Sequence, residues 1–224
     1  MSSQSKTKHK MCKEDLNLLE HGVAVFPFDE NIKKSFDLNT FLKEQKEFIE
    51  IKENPSDTIF VLGGFGAFGN PSSFHHPEIR KLRLSIYNVM KEKFEKLHKG
   101  KYIEGLVDRF CIRRKGSSTS SESWHRDISN VDKKKKLHGH KNDIIYGGWV
   151  NLDSADQYFS CVPGTHSIMR EGAGFAKLSK EDSEKLKEES CTIKIPKNHM
   201  IVFNEKTIHE VLANKAKEHS YRLF

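Results

Sequence analysis

The sequence predicts a mainly β fold with supporting helices, of the sandwich, barrel or jelly-roll type, on three observations. Beyond Gly100 the chain becomes a succession of short β-prone runs divided by Gly, Pro, Asn, Asp and Ser clusters, at about 102–114, 121–128, 144–152, 157–162, 191–195, 200–204, 207–213 and 219–224. Before Gly100 the strongest pattern is one amphipathic helix. At 224 residues, with Leu, Ile, Val and Phe making up about a quarter, the chain suits one decorated domain with a substantial core. No internal repeat is visible, which disfavours a solenoid or propeller.

The elements follow in order. Residues 1–12 hold almost nothing apolar and read as a disordered basic tail, leaving 13–224 as one domain with helical support to about residue 100 and a β core from about 101. Asp15 to Glu20 reads as a short helix stopped near Gly22. Val23 to Phe26 then reads as a buried strand closed by Pro27. Leu38, Phe41, Leu42, Phe48 and Ile49 recur at helical spacing over 38–52, and Pro55 ends that surface helix. Gly63 to Pro71 is rich in Gly and Phe but lacks both the Lys-Ser/Thr ending of a phosphate loop and dinucleotide-fold spacing, so it reads as a flexible aromatic loop rimming a pocket. Pro77 opens the strong helix, with Ile79, Leu82, Ile86, Met90, Phe94 and Leu97 on one stripe and Gly100 at its end. A last helical pattern spans about 179–189.

Composition narrows the function classes. No apolar run approaches the roughly 18 residues of a membrane-spanning helix, and Met1 to Lys10 lacks the apolar stretch of a signal peptide, so a soluble, intracellular, cytoplasmic protein is expected. Cys12, Cys111, Cys161 and Cys191 form no CxxC pair or dense framework and read as reduced, mostly buried thiols. The net charge of +7 permits an anionic partner, nucleic acid among them.

The chemistry sits in two places. In Ser123-Trp124-His125-Arg126-Asp127, on a predicted strand, His125 and Asp127 are two apart and share a face, where both can reach one ion. Met200 to Asn204 and Ile208 to Val211 read as a hairpin that brings His209 as a third ligand. Two histidines and one carboxylate leave octahedral positions open for a chelating cosubstrate and O₂, the pattern of non-haem Fe(II) oxygenases, whereas zinc is more often held by a closed tetrahedral set. A 2-oxo acid on such a metal needs its far carboxylate held, which a guanidinium does with two charge-assisted hydrogen bonds. Arg222, on the next predicted strand, is placed for that.

Between these ends lie Gly147-Gly148-Trp149-Val150-Asn151-Leu152-Asp153 and Cys161-Val162-Pro163-Gly164-Thr165-His166-Ser167, a central strand and a strand with a Pro-Gly turn. Taken together, WHRD, GGWVNLD, CVPGTHS and the closing IVFNEKTIHEV…YRLF resemble the phytanoyl-CoA dioxygenase family of Fe(II)- and 2-oxoglutarate-dependent oxygenases, from about Val107 to Phe224. LLEHGVAVFP resembles the family's opening more loosely. The resemblance implies a double-stranded β-helix, a cupin-like jelly roll holding iron through His125, Asp127 and His209. It implies Arg222 as the 2-oxoglutarate anchor and Trp149 on the strand lining the cosubstrate pocket, against the alternative of a core aromatic. The implied reaction consumes 2-oxoglutarate and O₂, releases succinate and CO₂ and hydroxylates a substrate; a carboxylate at Asp127, where halogenating relatives have a small residue, favours hydroxylation.

The stretch Val131 to Asn142, with Lys133 to Lys136, His138 and His140, departs from the family in length and charge. It reads as a solvated loop or as a basic flap that recruits an anionic substrate. The reading from a different class is a catalytically inactive jelly-roll module that binds nucleic acid or an acidic partner through these lysines.

Overall fold

The computed structural model describes residues 10–12, 15–28, 30–44, 58–62, 65–68, 74–100, 108–116, 122–128, 144–168, 175–211 and 217–224. Twelve strands among these residues form two antiparallel sheets: β1 (Val23–Pro27), β2 (Thr58–Leu62), β3 (Phe65–Phe68), β4 (Phe110–Arg113), β5 (Glu122–Arg126), β6 (Tyr146–Asn151), β7 (Gln157–Val162), β8 (Ala176–Lys177), β9 (Cys191–Ile195), β10 (His199–Asn204), β11 (Ile208–Val211) and β12 (Ser220–Leu223). The larger sheet runs β1-β10-β6-β12-β4-β3-β2 and the smaller β8-β5-β11-β7-β9. Four helices accompany them: α1 (Glu30–Ser35), α2 (Leu38–Glu44), α3 (Pro77–Leu97) and α4 (Lys180–Leu186). This is the expected double-stranded β-helix with supporting helices.

Strand alternation sorts the side chains into three layers. On β6, Val150 faces out and Trp149 faces in. The outward row of the larger sheet, with Ala24, Phe110, Val150, Met200, Val202 and Leu223, packs on the helices through Ile32, Phe41, Ile79, Leu82 and Met90. The inward row, Val23, Trp149, Ile201 and Phe203, meets Phe159, Cys161, Ile193 and Ile195 of the smaller sheet. A third cluster of Trp124, Val162 and Ile208, with Leu178 and Leu186, covers the outside of the smaller sheet, where α4 lies. The part of the larger sheet formed by β1, β10, β6, β12 and β4 therefore packs on both faces. The stripe read on α3 packs as expected, and His76 caps that helix by accepting from the Glu78 amide.

Several expectations are corrected. Asp15 to Glu20 forms no helix: Asn17 accepts from the Glu20 amide with its side chain and from the His21 amide with its carbonyl, making a local turn in place of a continuing helix. Part of the presumed aromatic loop pairs as the β2–β3 hairpin, which extends the larger sheet beyond β4. Gly63, Gly64 and 69–73 lie outside the described residues, as does 45–52 of the surface helix read over 38–52. The presumed 200–211 hairpin is a crossover, because β10 pairs in the larger sheet and β11 in the smaller. The tail reading fails at its end: Met11 bridges Thr192, the Cys12 amide donates to the Thr192 carbonyl at 3.0 Å, and the Thr192 amide donates to Lys10 at 2.8 Å. Residues 1–9 lie outside the described residues.

The thiol reading is corrected at two of its four positions. Cys12 and Cys191 are disulfide-bonded across 179 residues of sequence, while Cys111 and Cys161 are free and buried. Such a cross-link removes entropy from the unfolded chain and typically contributes about 2–4 kcal/mol. Burial pushes both free thiols up to about 12, which leaves almost no thiolate at pH 8. Alkylation at pH 8 followed by mass spectrometry is therefore expected to label no cysteine in the native protein, two after unfolding and four after unfolding with reductant. Labelling of Cys12 or Cys191 in the native protein would contradict the pairing.

Candidate metal and oxyanion-binding site

Cross-strand partners project to the same face, and the smaller sheet carries one row of them through its interior: Lys177, His125, His209, Cys161 and Cys191. His125 and His209 are thus direct neighbours, 2% and 6% exposed, with ring centroids 4.3 Å apart. Asp127 joins them by a route the sequence did not predict. β5 ends at Arg126, and Asp127 lies in the bend beyond it, where its amide and that of Ile128 both donate to the Glu205 carbonyl, at 3.1 and 3.2 Å. The β10–β11 crossover that carries Glu205 therefore turns the carboxylate inward, rather than strand alternation alone. Asp127 lies 3.6 Å from both His125 Nε2 and His209 Nε2. Ligand atoms of the three residues lie within 4.8 Å of one another.

These residues suit a cation. The Thr207 carbonyl can only accept, so His209 Nδ1, at 3.0 Å from it, carries the proton. Burial holds His209 below its usual value against the pull of Asp127, which keeps the ring neutral. Nε2 then presents a lone pair to a carboxylate oxygen, two acceptors facing across a gap too long for a hydrogen bond. A bound cation satisfies both. Two histidines and one carboxylate offered from one side leave the other side open.

The ligand positions are braced from behind. The Thr207 hydroxyl donates to the Gly22 carbonyl at 3.1 Å, and the Asn204 amide donates to the same carbonyl at 2.7 Å. Gly22 has φ of 72°, and a Cβ there would come within 2.7 Å of Thr207 Oγ1 and closer still to the His166 ring, so glycine is required. His209 also packs on Phe159 and Phe203, with centroids at 5.2 and 5.1 Å.

Arg222 and Trp149 lie on the opposite wall, in the larger sheet. Arg222 pairs with Asn151 on β6, which puts it on the same inward face as Trp149. Its guanidinium stacks 4.2 Å over the Trp149 ring, and its Nε donates to Gln157 Oε1 at 2.7 Å. Gln157 Oε1 also accepts from Trp149 Nε1 at 2.8 Å. The amide of Gln157 donates to Asp153, Ser220 and the Tyr221 carbonyl. Burial pushes Arg222 down to about 9, with Cys111 and Asp153 opposing the drop and Arg113 adding to it, so the group stays cationic at neutral pH. Trp149 meets Phe159 at 5.5 Å, and Phe159 touches His209, which links the two walls through packed rings. Trp149 is thus both a core aromatic and the platform under Arg222.

Sequence reading missed Gln157, Glu205 and Thr207. Each acts through bonds that link distant segments, and none carries a local motif. Lys133 to Lys136, His138 and His140 lie outside the described residues, and among the described residues no helix is long and apolar enough to cross a membrane. Exposed Phe175 lies 4.8 Å from the His125 ring, at the mouth of the site.

No family model matches the chain, and no curated protein sequence does. Solved structures do resemble it. AviO1 from Streptomyces viridochromogenes Tue57 shares 11% identity at a TM-score of 0.55, over 92% of this chain and 89% of its own. The epimerase SnoN, solved with Fe3+, alpha ketoglutarate and nogalamycin RO, shares 13% at 0.59, over 92% and 78%. EctD from S. alaskensis, solved with 2-oxoglutarate and 5-hydroxyectoine, shares 14% at 0.56, over 92% and 71%. At these identities the likeness is one of fold.

Proposed function

We propose that the chain is an Fe(II)- and 2-oxoglutarate-dependent dioxygenase that hydroxylates its substrate, with His125, Asp127 and His209 as metal ligands and Arg222 as the cosubstrate anchor. The observation that carries this reading is the pair of facing walls: a neutral imidazole and a carboxylate presenting lone pairs to one point on the smaller sheet, and a half-buried guanidinium stacked on Trp149 on the larger. That EctD and SnoN were solved with 2-oxoglutarate or alpha ketoglutarate in the same fold supports it, as do the motifs that resemble the phytanoyl-CoA dioxygenase family.

Iron with bound 2-oxoglutarate supplies oxidising power from O₂, coupling release of succinate and CO₂ to hydroxylation. The protein's part is orientation and exclusion. Thr207 fixes which nitrogen of His209 faces the metal. Arg222 would hold the far carboxylate through its guanidinium, which Trp149 and Gln157 keep in place. Phe159 and Phe203 pack around His209 and keep water from that side of the ligand cluster.

The test is anaerobic addition of Fe(II) and then 2-oxoglutarate to purified protein. A visible charge-transfer band that requires both additions is expected. A band missing from folded protein at saturating cosubstrate would sink the oxygenase reading.

A further inference from the structure

We infer that Thr165, in the one-turn 3₁₀ helix Thr165–Ser167, is a positioning residue that locks the two metal-ligand strands together through Arg126. The inference rests on the metal reading above. Its basis is a set of bonds converging on one turn behind the site. The Thr165 hydroxyl accepts from the Ile208 amide at 2.9 Å, one residue before His209, and donates to the Val162 carbonyl at 2.7 Å. Arg126, between His125 and Asp127, points to the opposite face and donates to the Thr165 carbonyl at 2.8 Å and the Ile168 carbonyl at 3.1 Å. Both Thr165 and Arg126 are 2% exposed. The turn is held in its own right, with the Gly164 amide donating to His21 at 2.8 Å, next to the Gly22 carbonyl that takes the Thr207 hydroxyl.

The consequence is geometric. His125 and Asp127 belong to the β5 end and His209 to β11, and a metal held by both depends on their relative placement to a fraction of an ångström. Ladder hydrogen bonds set the His125–His209 pairing, but the register between β5 and β11 shifts between His209 and Val211, so the ladder is irregular just past the site. A buried hydroxyl on the β11 amide and a buried guanidinium from β5, meeting at one turn, fix what the ladder leaves loose. Neither residue touches the metal position.

The experiment titrates Co(II) into the protein and reads the visible ligand-field spectrum and dissociation constant for wild type, Thr165→Val, Thr165→Ser, Arg126→Met and the Thr165→Val/Arg126→Met double variant. Thr165→Val keeps the volume and loses the hydroxyl; it is expected to weaken Co(II) by about ten- to a hundredfold, the usual effect of removing a group that orients a ligand, and to alter band intensity. Thr165→Ser restores wild-type affinity. Arg126→Met weakens binding too, and the double variant is no weaker than its worse parent because both act through one turn. Wild-type affinity in folded Thr165→Val, failure of Ser to rescue, or full additivity overturns the inference. Where Thr165→Val does not fold, Arg126→Lys replaces it: weaker Co(II) binding supports the clamp and unchanged binding overturns it. A wild-type protein whose Co(II) spectrum survives His209→Ala overturns the metal reading and the clamp with it, whereas a His209-dependent spectrum unaffected by Thr165→Val overturns the clamp alone.

Discussion

His209→Ala is expected to abolish iron-dependent turnover and to weaken metal binding by more than about a hundredfold, beyond what loss of an orienting neighbour costs. On the proposed reading His209 is one of three donors, and Thr207 fixes its proton on the nitrogen turned away from Asp127. The same substitution empties a ring-sized space against Phe159 and Phe203, so the apoprotein should lose about 1–3 kcal/mol as well. Asp127→Ala separates the two effects. The Asp127 side chain is 32% exposed and sits in a bend held by backbone bonds, so its removal should cost little stability while removing metal as severely. Anaerobic Fe(II) binding and thermal melting of both variants check this. Metal affinity retained in either folded variant would refute the ligand set.

What was legible beforehand was whatever local chemistry dictates. β7 and β9 fall on the runs read at 157–162 and 191–195, where aromatic and β-branched residues stand between clusters of turn residues. α3 fell to its apolar stripe in the same way. Three of the five residues singled out, His125, Asp127 and His209, lie together in space, and the other two, Arg222 and Trp149, stack on the facing wall. What was not legible depended on partners far along the chain. Met200 to Asn204 and Ile208 to Val211 look like a hairpin in isolation, yet Val23 to Pro27 and Tyr146 to Val150 claim the first strand while Val162 and His125 claim the second. Cys12 reads as a tail residue until Thr192 takes its amide. The turn of Asp127 comes from a carbonyl at Glu205, which no spacing within WHRD encodes.

Arg222→Met is expected to raise the KM for 2-oxoglutarate by about a hundredfold, equivalent to roughly 2.7 kcal/mol, while leaving metal affinity within a few-fold of wild type. The stability effect should run the other way. A guanidinium pushed down to about 9 by burial carries a desolvation cost in the apoprotein that a ligand carboxylate would offset. An apolar chain of similar length removes that cost, and Gln157 Oε1 keeps Trp149 Nε1 as a donor at 2.8 Å. The apoprotein should therefore melt at the wild-type temperature or above it. Arg222→Lys keeps a charge but loses the planar fork and the stack on Trp149, which places its KM between the two. On the proposed reading, saturating 2-oxoglutarate should recover most of kcat in both variants, because the guanidinium would bind the end of the cosubstrate remote from the metal. An unchanged KM in Arg222→Met together with a lower melting temperature would mean that Arg222 only packs the core around Trp149.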